Sequence, residues 1–173
     1  MIIYLKNKHT LKVDKFEFKC CIGKNGLSKN KIEGDKKTPT GLFKLGDLFL
    51  RKDRIKKPYS ALKRIFIKKN MGWCNDPTHE KKYNKLIKLN DNLRYEKLYR
   101  NDYKYDLLIP IKYNHKNPIP GKGSCIFLHL TKNYKPTAGC IALKKKDFLI
   151  MLMLINKKTK FNFFHQIYLN QLL

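Results

Sequence analysis

The sequence is poor in arginine, in acidic residues and in long apolar runs, and each shortage removes a class of function. Of its 39 basic residues only five are arginine (Arg51, Arg54, Arg64, Arg94 and Arg100), against 13 acidic residues and a net charge of +26. The planar guanidinium fork is the usual reader of phosphates and guanine edges. Lysines scattered along the whole chain therefore argue for solvated faces, and no specific nucleic-acid partner is expected. A general attraction to anionic polymers still follows, whether cell-wall polymer, lipid headgroup or nucleic acid. The longest apolar run, Phe148 to Ile155, is too short to cross a bilayer, so an integral membrane protein is not expected. The opening Met1-Ile2-Ile3-Tyr4-Leu5-Lys6 breaks its apolar run too early for a secretory signal. Export and cytoplasmic residence both stay open at this point.

Cysteine pairing is missing as well. The five cysteines stand at 20, 21, 74, 125 and 140, an odd number with two neighbours and no C-x-x-C. Neither a disulfide framework nor a zinc site is expected. His9, His79, His115 and His165 have no matching ligand partners in sequence, so no metal role is assigned to them and no cofactor is expected.

What is present suffices for a packed core. Hydrophobic residues make up 42% and aromatic residues 12% of 173 residues, a length suited to one domain over 1–173. Short β-type runs occur at 2–5 and 16–22, where Phe16, Phe18 and Cys20 alternate with charged residues as in a half-buried strand. A polar, glycine-bearing stretch over 23–41 follows, then expected strands at 42–50 and 65–67. The centre, about 70–103, reads as irregular with a short helix at Leu93–Arg100. The run 105–113 contains Pro110, which suggests an edge strand or a bulge. Further strands are expected at 125–130, 138–143 and 161–169, with a buried helix, apolar all round, at 147–155. The sum is a mostly-β fold with one or two packed helices.

Residues 124–143 carry the chemistry. In a strand, residues 125, 127 and 129 share one face, which puts His129 at a strand end just before a loop. The chain returns as Thr137-Ala138-Gly139-Cys140, so neighbouring strands can bring Cys140 within reach of His129. An imidazole there can take the proton of a thiol whose free pKa is about 8.5. Gly139, lacking Cβ, lets a substrate carbonyl approach the backbone, and the Gly139 and Cys140 N–H groups are natural oxyanion donors. Spacing alone is met more readily by two ordinary core residues at strand ends. Cys125 lies roughly 13 Å from His129 along an extended strand, too far to be its partner.

Ile126-Phe127-Leu128-His129 followed by Pro136-Thr137-Ala138-Gly139-Cys140-Ile141-Ala142-Leu143 resembles the L,D-transpeptidase catalytic (YkuD-like) family. It is most similar to the branch with a P-T-A-G-C-hydrophobic-A-L segment. Glu33-Gly34-Asp35 with Thr38-Pro39-Thr40-Gly41 resembles that branch's E-G-D-x-x-T-P-x-G segment. Gly72-Trp73-Cys74-Asn75-Asp76-Pro77 and Tyr83-Asn84 resemble its G-W-C-D-D-P and Y-N segments. Tyr113-Asn114, Pro118 and Pro120-Gly121-Lys122-Gly123-Ser124 resemble its Y-N-x-x-P-x-x-P-G-x-G-S loop. Where the wider family has S/T-H-G-C followed by a hydrophobic residue and Arg or Asn, this chain has Ala138 in place of the His and Ala142 in place of the Arg or Asn.

The resemblance implies a β-sandwich or barrel-like fold, Cys140 as nucleophile, His129 as base and no cofactor or metal. It implies peptidoglycan stem peptides as substrate. The acyl group of the third residue moves from D-Ala to an amine, giving a 3→3 cross-link, or to water, giving an L,D-carboxypeptidase. The implied location is periplasm or cell wall. Gly139 and Thr137 belong to the active-site backbone, and Trp73, Asp76 and Tyr113 are candidate substrate contacts. Trp73 serves equally well as a loop-anchoring ring, and Asp76 as a local turn acceptor. A basic polymer-binding protein with a vestigial site is the rival reading.

Overall fold

The computed structural model describes residues 1–89 and 92–163. Strands β1 (Ile2–Asn7), β2 (Thr10–Val13) and β3 (Phe16–Cys21) form an antiparallel meander. Apolar alternation sets its inner face: Ile3, Leu5, Leu11, Val13, Phe18 and Cys20 are buried. Phe16 departs from the expected alternation. It is 46% exposed and stacks on Phe18 instead of entering the core.

The polar stretch after β3 contains two short strands, β4 (Leu27–Ser28) and β5 (Thr38–Pro39), paired in parallel. The run expected as one strand over 42–50 is two, β6 (Leu42–Lys44) and β7 (Leu48–Leu50), and β8 (Arg64–Phe66) follows. Strands β9 (Met71–Cys74), β10 (Leu86–Lys88) and β11 (Tyr95–Lys97) make a separate three-stranded sheet with β9 in the middle. This corrects two expectations. The described part of the centre holds this sheet, and the helix expected at Leu93–Arg100 is β11 followed by a bend. Eight residues make a marginal helix on their own, whereas Tyr95, Glu96 and Lys97 pair with Cys74, Trp73 and Gly72. Gly72 lets the Tyr95 ring and Leu89 close over it, since a Cβ there would lie 3.0 Å from Tyr95 Cδ2 and 2.7 Å from Leu89 Cδ2.

Strands β12 (Leu107–Pro110), β13 (Phe127–Leu130) and β14 (Ile141–Leu143) are buried along their whole length, and β15 (Lys160–Asn162) completes the set. With the meander and β6, β7 and β8 they form a ten-stranded sheet in the order β6-β15-β1-β2-β3-β14-β13-β12-β7-β8. β12 is thus an interior strand, flanked by β13 and β7, and not the edge strand that Pro110 suggested. Pro110 is tolerated because it ends the strand and contributes its carbonyl, which accepts from Gly46 N–H at 2.7 Å.

The order also fixes the curvature. β6 and β7 are separated by only three residues, a reach of roughly 10–14 Å, yet stand eight strands apart, about 40 Å in a flat sheet. The sheet must curl. Lys112 N–H donating to the Lys44 carbonyl and the Leu45–Ile111 bridge mark the seam. The fold is therefore mostly β and barrel-like, as expected, with one helix among the described residues.

That helix, α1 (Lys145–Leu154), buries Phe148, Met151 and Leu152. It is less uniformly buried than its composition suggested, because Met153 is 63% exposed. The strand expected at 161–169 starts at Lys160, and its part from residue 164 onward lies outside the described residues.

Candidate active site

β13 and β14 are parallel neighbours in register, His129 opposite Ala142. His129 therefore sits at the carboxyl end of β13, while Cys140 precedes β14 in a turn, so the strand expected over 138–143 begins only at Ile141. Cys140 and His129 line the same cleft of about 440 Å³, along with Tyr105, Glu96, Arg100 and Thr137.

The turn is held rigidly from behind. Thr137 N–H donates to the Ile22 carbonyl and Lys24 N–H to the Thr137 carbonyl, both at 2.9 Å. Thr38 Oγ1, wholly buried, donates to the Gly139 carbonyl at 2.8 Å and accepts from Gly23 N–H at 2.9 Å. Gly139 has φ +140°, and a Cβ there would lie 2.8 Å from the Lys37 carbonyl oxygen. The absence of a side chain at 139 is thus required by the chain's own backbone.

The turn also reassigns an expected donor. Gly139 N–H donates to Thr137 Oγ1 at 3.1 Å, and the same hydroxyl donates to the Cys140 carbonyl at 2.6 Å. Gly139 N–H is therefore occupied. The N–H groups of Ala138 and Cys140 have no acceptor among the described residues.

The sulfur of Cys140 accepts from Phe127 N–H at 3.4 Å, and its thiol donates to the Cys125 carbonyl at 3.1 Å. Cys125 has φ +52° and lies before β13, with its own thiol turned to the Trp73 carbonyl at 3.8 Å. His129 Nδ1 lies 3.0 Å from the Leu130 carbonyl. A carbonyl only accepts, so Nδ1 carries the proton and Nε2 is left as the basic nitrogen. Nothing in the sequence marks the residue next to His129 as the source of this carbonyl.

Burial sets both protonation states. It pushes the His129 imidazole down to about 4, against an upward pull from the Leu130 hydrogen bond. It pushes the Cys140 thiol up to about 12; Phe127 N–H and the Lys31 ammonium pull the other way, and Glu96 adds to the rise. At neutral pH the resting pair is thiol and neutral imidazole, not an ion pair.

Tyr105 was not singled out from sequence, yet its ring stands edge-on to both His129 (5.4 Å) and Phe127 (5.9 Å). Its hydroxyl donates to Glu96 Oε1 at 3.0 Å, and Arg100 Nη1 donates to the same oxygen at 3.1 Å. β11 and the turn after it therefore build one wall of the cleft. Only the alternating aromatic and charged residues of 95–105 hinted at this.

The three candidate substrate contacts lie elsewhere. Trp73 is buried, stacked edge-on against Phe127 (5.3 Å) and Phe49 (6.3 Å), with its indole N–H donating to Asn84 Oδ1 at 2.9 Å. Asp76 accepts from Thr78 N–H and Oγ1 and from Arg94 N–H, and these hydrogen bonds hold its carboxyl at about 2. Tyr113 donates to the Lys122 carbonyl at 2.6 Å and packs on Phe43. None of the three is among the residues lining the cleft. All three brace the scaffold behind it.

The YkuD family profile, described as the L,D-transpeptidase catalytic domain, matches residues 1–162. No curated protein matches the sequence. Among solved structures, the helical cell shape determining protein Pgp2 of Campylobacter jejuni is similar, with TM-score 0.51 and 19% identity over 95% of this chain and 47% of that one. Bd1075 of Bdellovibrio bacteriovorus gives TM-score 0.46 and 16% identity, over 95% of this chain and 48% of its own. The chain spans about half the length of either.

Proposed function

The chain belongs to the L,D-transpeptidase catalytic domain family, a family that acts on peptidoglycan, and we propose that it is a peptidoglycan L,D-transpeptidase with Cys140 as nucleophile and His129 as general base. The observation that carries this reading is the shared cleft. It holds one thiol and one imidazole whose Nδ1 is committed to Leu130, leaving Nε2 as the proton acceptor.

In the reaction so read, the Cys140 proton leaves the Cys125 carbonyl and passes to His129 Nε2. The sulfur attacks the carbonyl carbon of the third stem residue, and the N–H groups of Cys140 and Ala138 support the oxyanion. The C–N bond to the terminal D-Ala breaks, and the imidazolium returns its proton to the departing amine. An amine of a second stem then attacks the thioester carbon and gives its proton to His129; the C–S bond breaks, and the imidazolium returns the proton to the departing sulfur. Two neutral groups exchange the proton as the attack proceeds, so charge separation develops in the transition state. The place of action for such a substrate is the periplasm or cell wall. Among the described residues no helix is long and apolar enough to cross a membrane.

The test is incubation with a disaccharide tetrapeptide followed by mass spectrometry. The expected products are an acyl-enzyme on Cys140, free D-Ala and a cross-linked dimer, all absent with Cys140→Ala. Tripeptide without dimer makes the enzyme an L,D-carboxypeptidase; acylation surviving in Cys140→Ala sinks the assignment.

A further inference from the structure

A second cavity of about 470 Å³ adjoins the catalytic cleft, and the two share Tyr103, Leu130 and Thr131 in their walls. Its remaining lining is Asp106 and four lysines: Lys132, Lys144, Lys145 and Lys146. Topology puts them together. β13 and β14 run parallel, so their carboxyl ends lie side by side; Lys132 leaves from one, and Lys144–Lys146 lead from the other into α1. His129 stands at the same end of β13.

The charge there is not neutralised by the protein. None of the four lysines forms an ion pair among the described residues. Asp106 is committed to Arg54 at 3.1 Å. Lys132 rests over the Tyr103 ring at 4.4 Å and Lys144 over Tyr134 at 5.4 Å, contacts that orient ammonium groups without cancelling them.

We propose that this cavity is a subsite for a carboxylate group of the peptide whose acyl carbon reaches Cys140. The proposal rests on the acyl-transfer reading and adds the recognition element to it. Shared walls let one molecule occupy both cavities. The second is the size of a small ligand pocket and not a track for a polymer. Its cations are lysines, point charges that take carboxylates and phosphates alike, and the nearby arginines are spent, Arg54 on Asp106 and Arg100 on Asp102 and Glu96. The carboxylate is assigned because the occupant of the adjoining cleft is read as an acidic peptide.

The test compares an acidic stem peptide with the same peptide amidated at its side carboxylates. The proteins are wild type, the combined Lys144→Gln, Lys145→Gln and Lys146→Gln variant, and its Lys→Arg counterpart. For the acidic peptide, KM is expected to rise about tenfold in the Gln variant with kcat within about twofold, and to be restored by Arg. The amidated peptide is expected to start with the weaker KM and to be indifferent to the substitutions. An unchanged KM, or equal losses with both peptides, overturns the subsite. So does binding of inorganic polyphosphate that falls in the Gln variant while peptide KM does not, which marks a phosphate-polymer site.

If wild type turns over neither peptide, the catalytic reading has failed and not the subsite. The subsite is then judged by calorimetry on Cys140→Ala: peptide binding about tenfold weaker with the Gln substitutions sustains it, and unchanged binding overturns it.

Discussion

At the scale of single residues, the unusual feature is a nucleophile and base that are both uncharged at rest. Cys140 donates its proton to a backbone carbonyl, and His129 is buried so deeply that its imidazole falls to about 4. A thiolate–imidazolium pair gives a reactivity plateau from mildly acidic pH upward. This site is expected to give none: iodoacetamide labelling of Cys140 in the free protein should climb steadily through the alkaline range. A plateau beginning below neutrality counts against the neutral pair. His129→Ala is expected to lower kcat/KM by about 10²–10⁴-fold, the usual span for a lost general base, with D-Ala release as the readout.

The same shifts act on stability, with a definite sign. His129 is held below its unfolded value of 6.5, so its contribution is complete above that pH and is lost as pH falls toward 4. Cys140 is held above 9.0, so its contribution is complete below that pH and is lost as pH rises toward 12. Between the two lies a plateau. The acid loss from His129 is on the order of 3 kcal/mol. His129→Gln, which cannot titrate, should flatten the acid limb of the thermal midpoint against pH; an unaltered limb shows that other groups set it.

At the scale of elements, the segment over 31–39 deserves its place beside β13 and β14 because it holds both sides of the thiol. Thr38 locks Gly139, and the Lys37 carbonyl oxygen lies only 2.8 Å from where a Cβ of residue 139 would be. Glu33 Oε2 accepts from Tyr83 (2.6 Å) and Ser124 (2.7 Å), bracing the residue before Cys125, whose carbonyl receives the Cys140 proton. Asn84 takes up Cys125 N–H at 3.2 Å and reaches the Tyr113 and Asn114 carbonyls. Thr38→Val keeps the shape of the side chain but leaves Gly23 N–H and the Gly139 carbonyl unpaired in the interior. The expected cost is on the order of 3 kcal/mol, read as a fall in thermal midpoint of roughly 5–10 °C. Labelling of Cys140 should slow under conditions where the variant is still folded. An unchanged midpoint means the turn is held without this lock.

These contacts explain what sequence could and could not disclose. The segments at 33–41, 72–77, 83–84 and 113–124 were legible as matches to a family pattern, yet their work is scaffolding, and only the folded chain joins Glu33 to Ser124 or Asn84 to Cys125. Trp73 and Tyr113 illustrate the limit, since Phe127 and Phe43 lie far along the chain from them, whereas the local turn role of Asp76, which accepts from Thr78, was readable in the sequence. The strands of the meander and the core were readable because each carries its own apolar pattern. β11 was not. Its pairing with β9 is a long-range fact that outweighs a weak local preference for helix. Tyr105 escaped notice for the same reason, since nothing beside it in sequence announces His129.

At the scale of the whole molecule, the net charge of +26 should be felt as self-repulsion. A globule of this length has a radius of gyration of about 16 Å. At 10 mM salt the screening length is about 30 Å, so every lysine senses every other; at 0.1 M it is about 10 Å, and only neighbours interact. The lysine and arginine ion pairs among the described residues are close contacts, from 2.5 Å for Lys31–Asp35 to 3.1 Å for Arg54–Asp106, and screening at these ranges weakens them little. Added salt therefore removes more repulsion than attraction. The thermal midpoint is expected to rise by several degrees between 10 mM and 0.1 M sodium chloride, while binding to an anionic polymer falls steeply over the same range. A midpoint that falls with salt means that local pairing outweighs the overall charge.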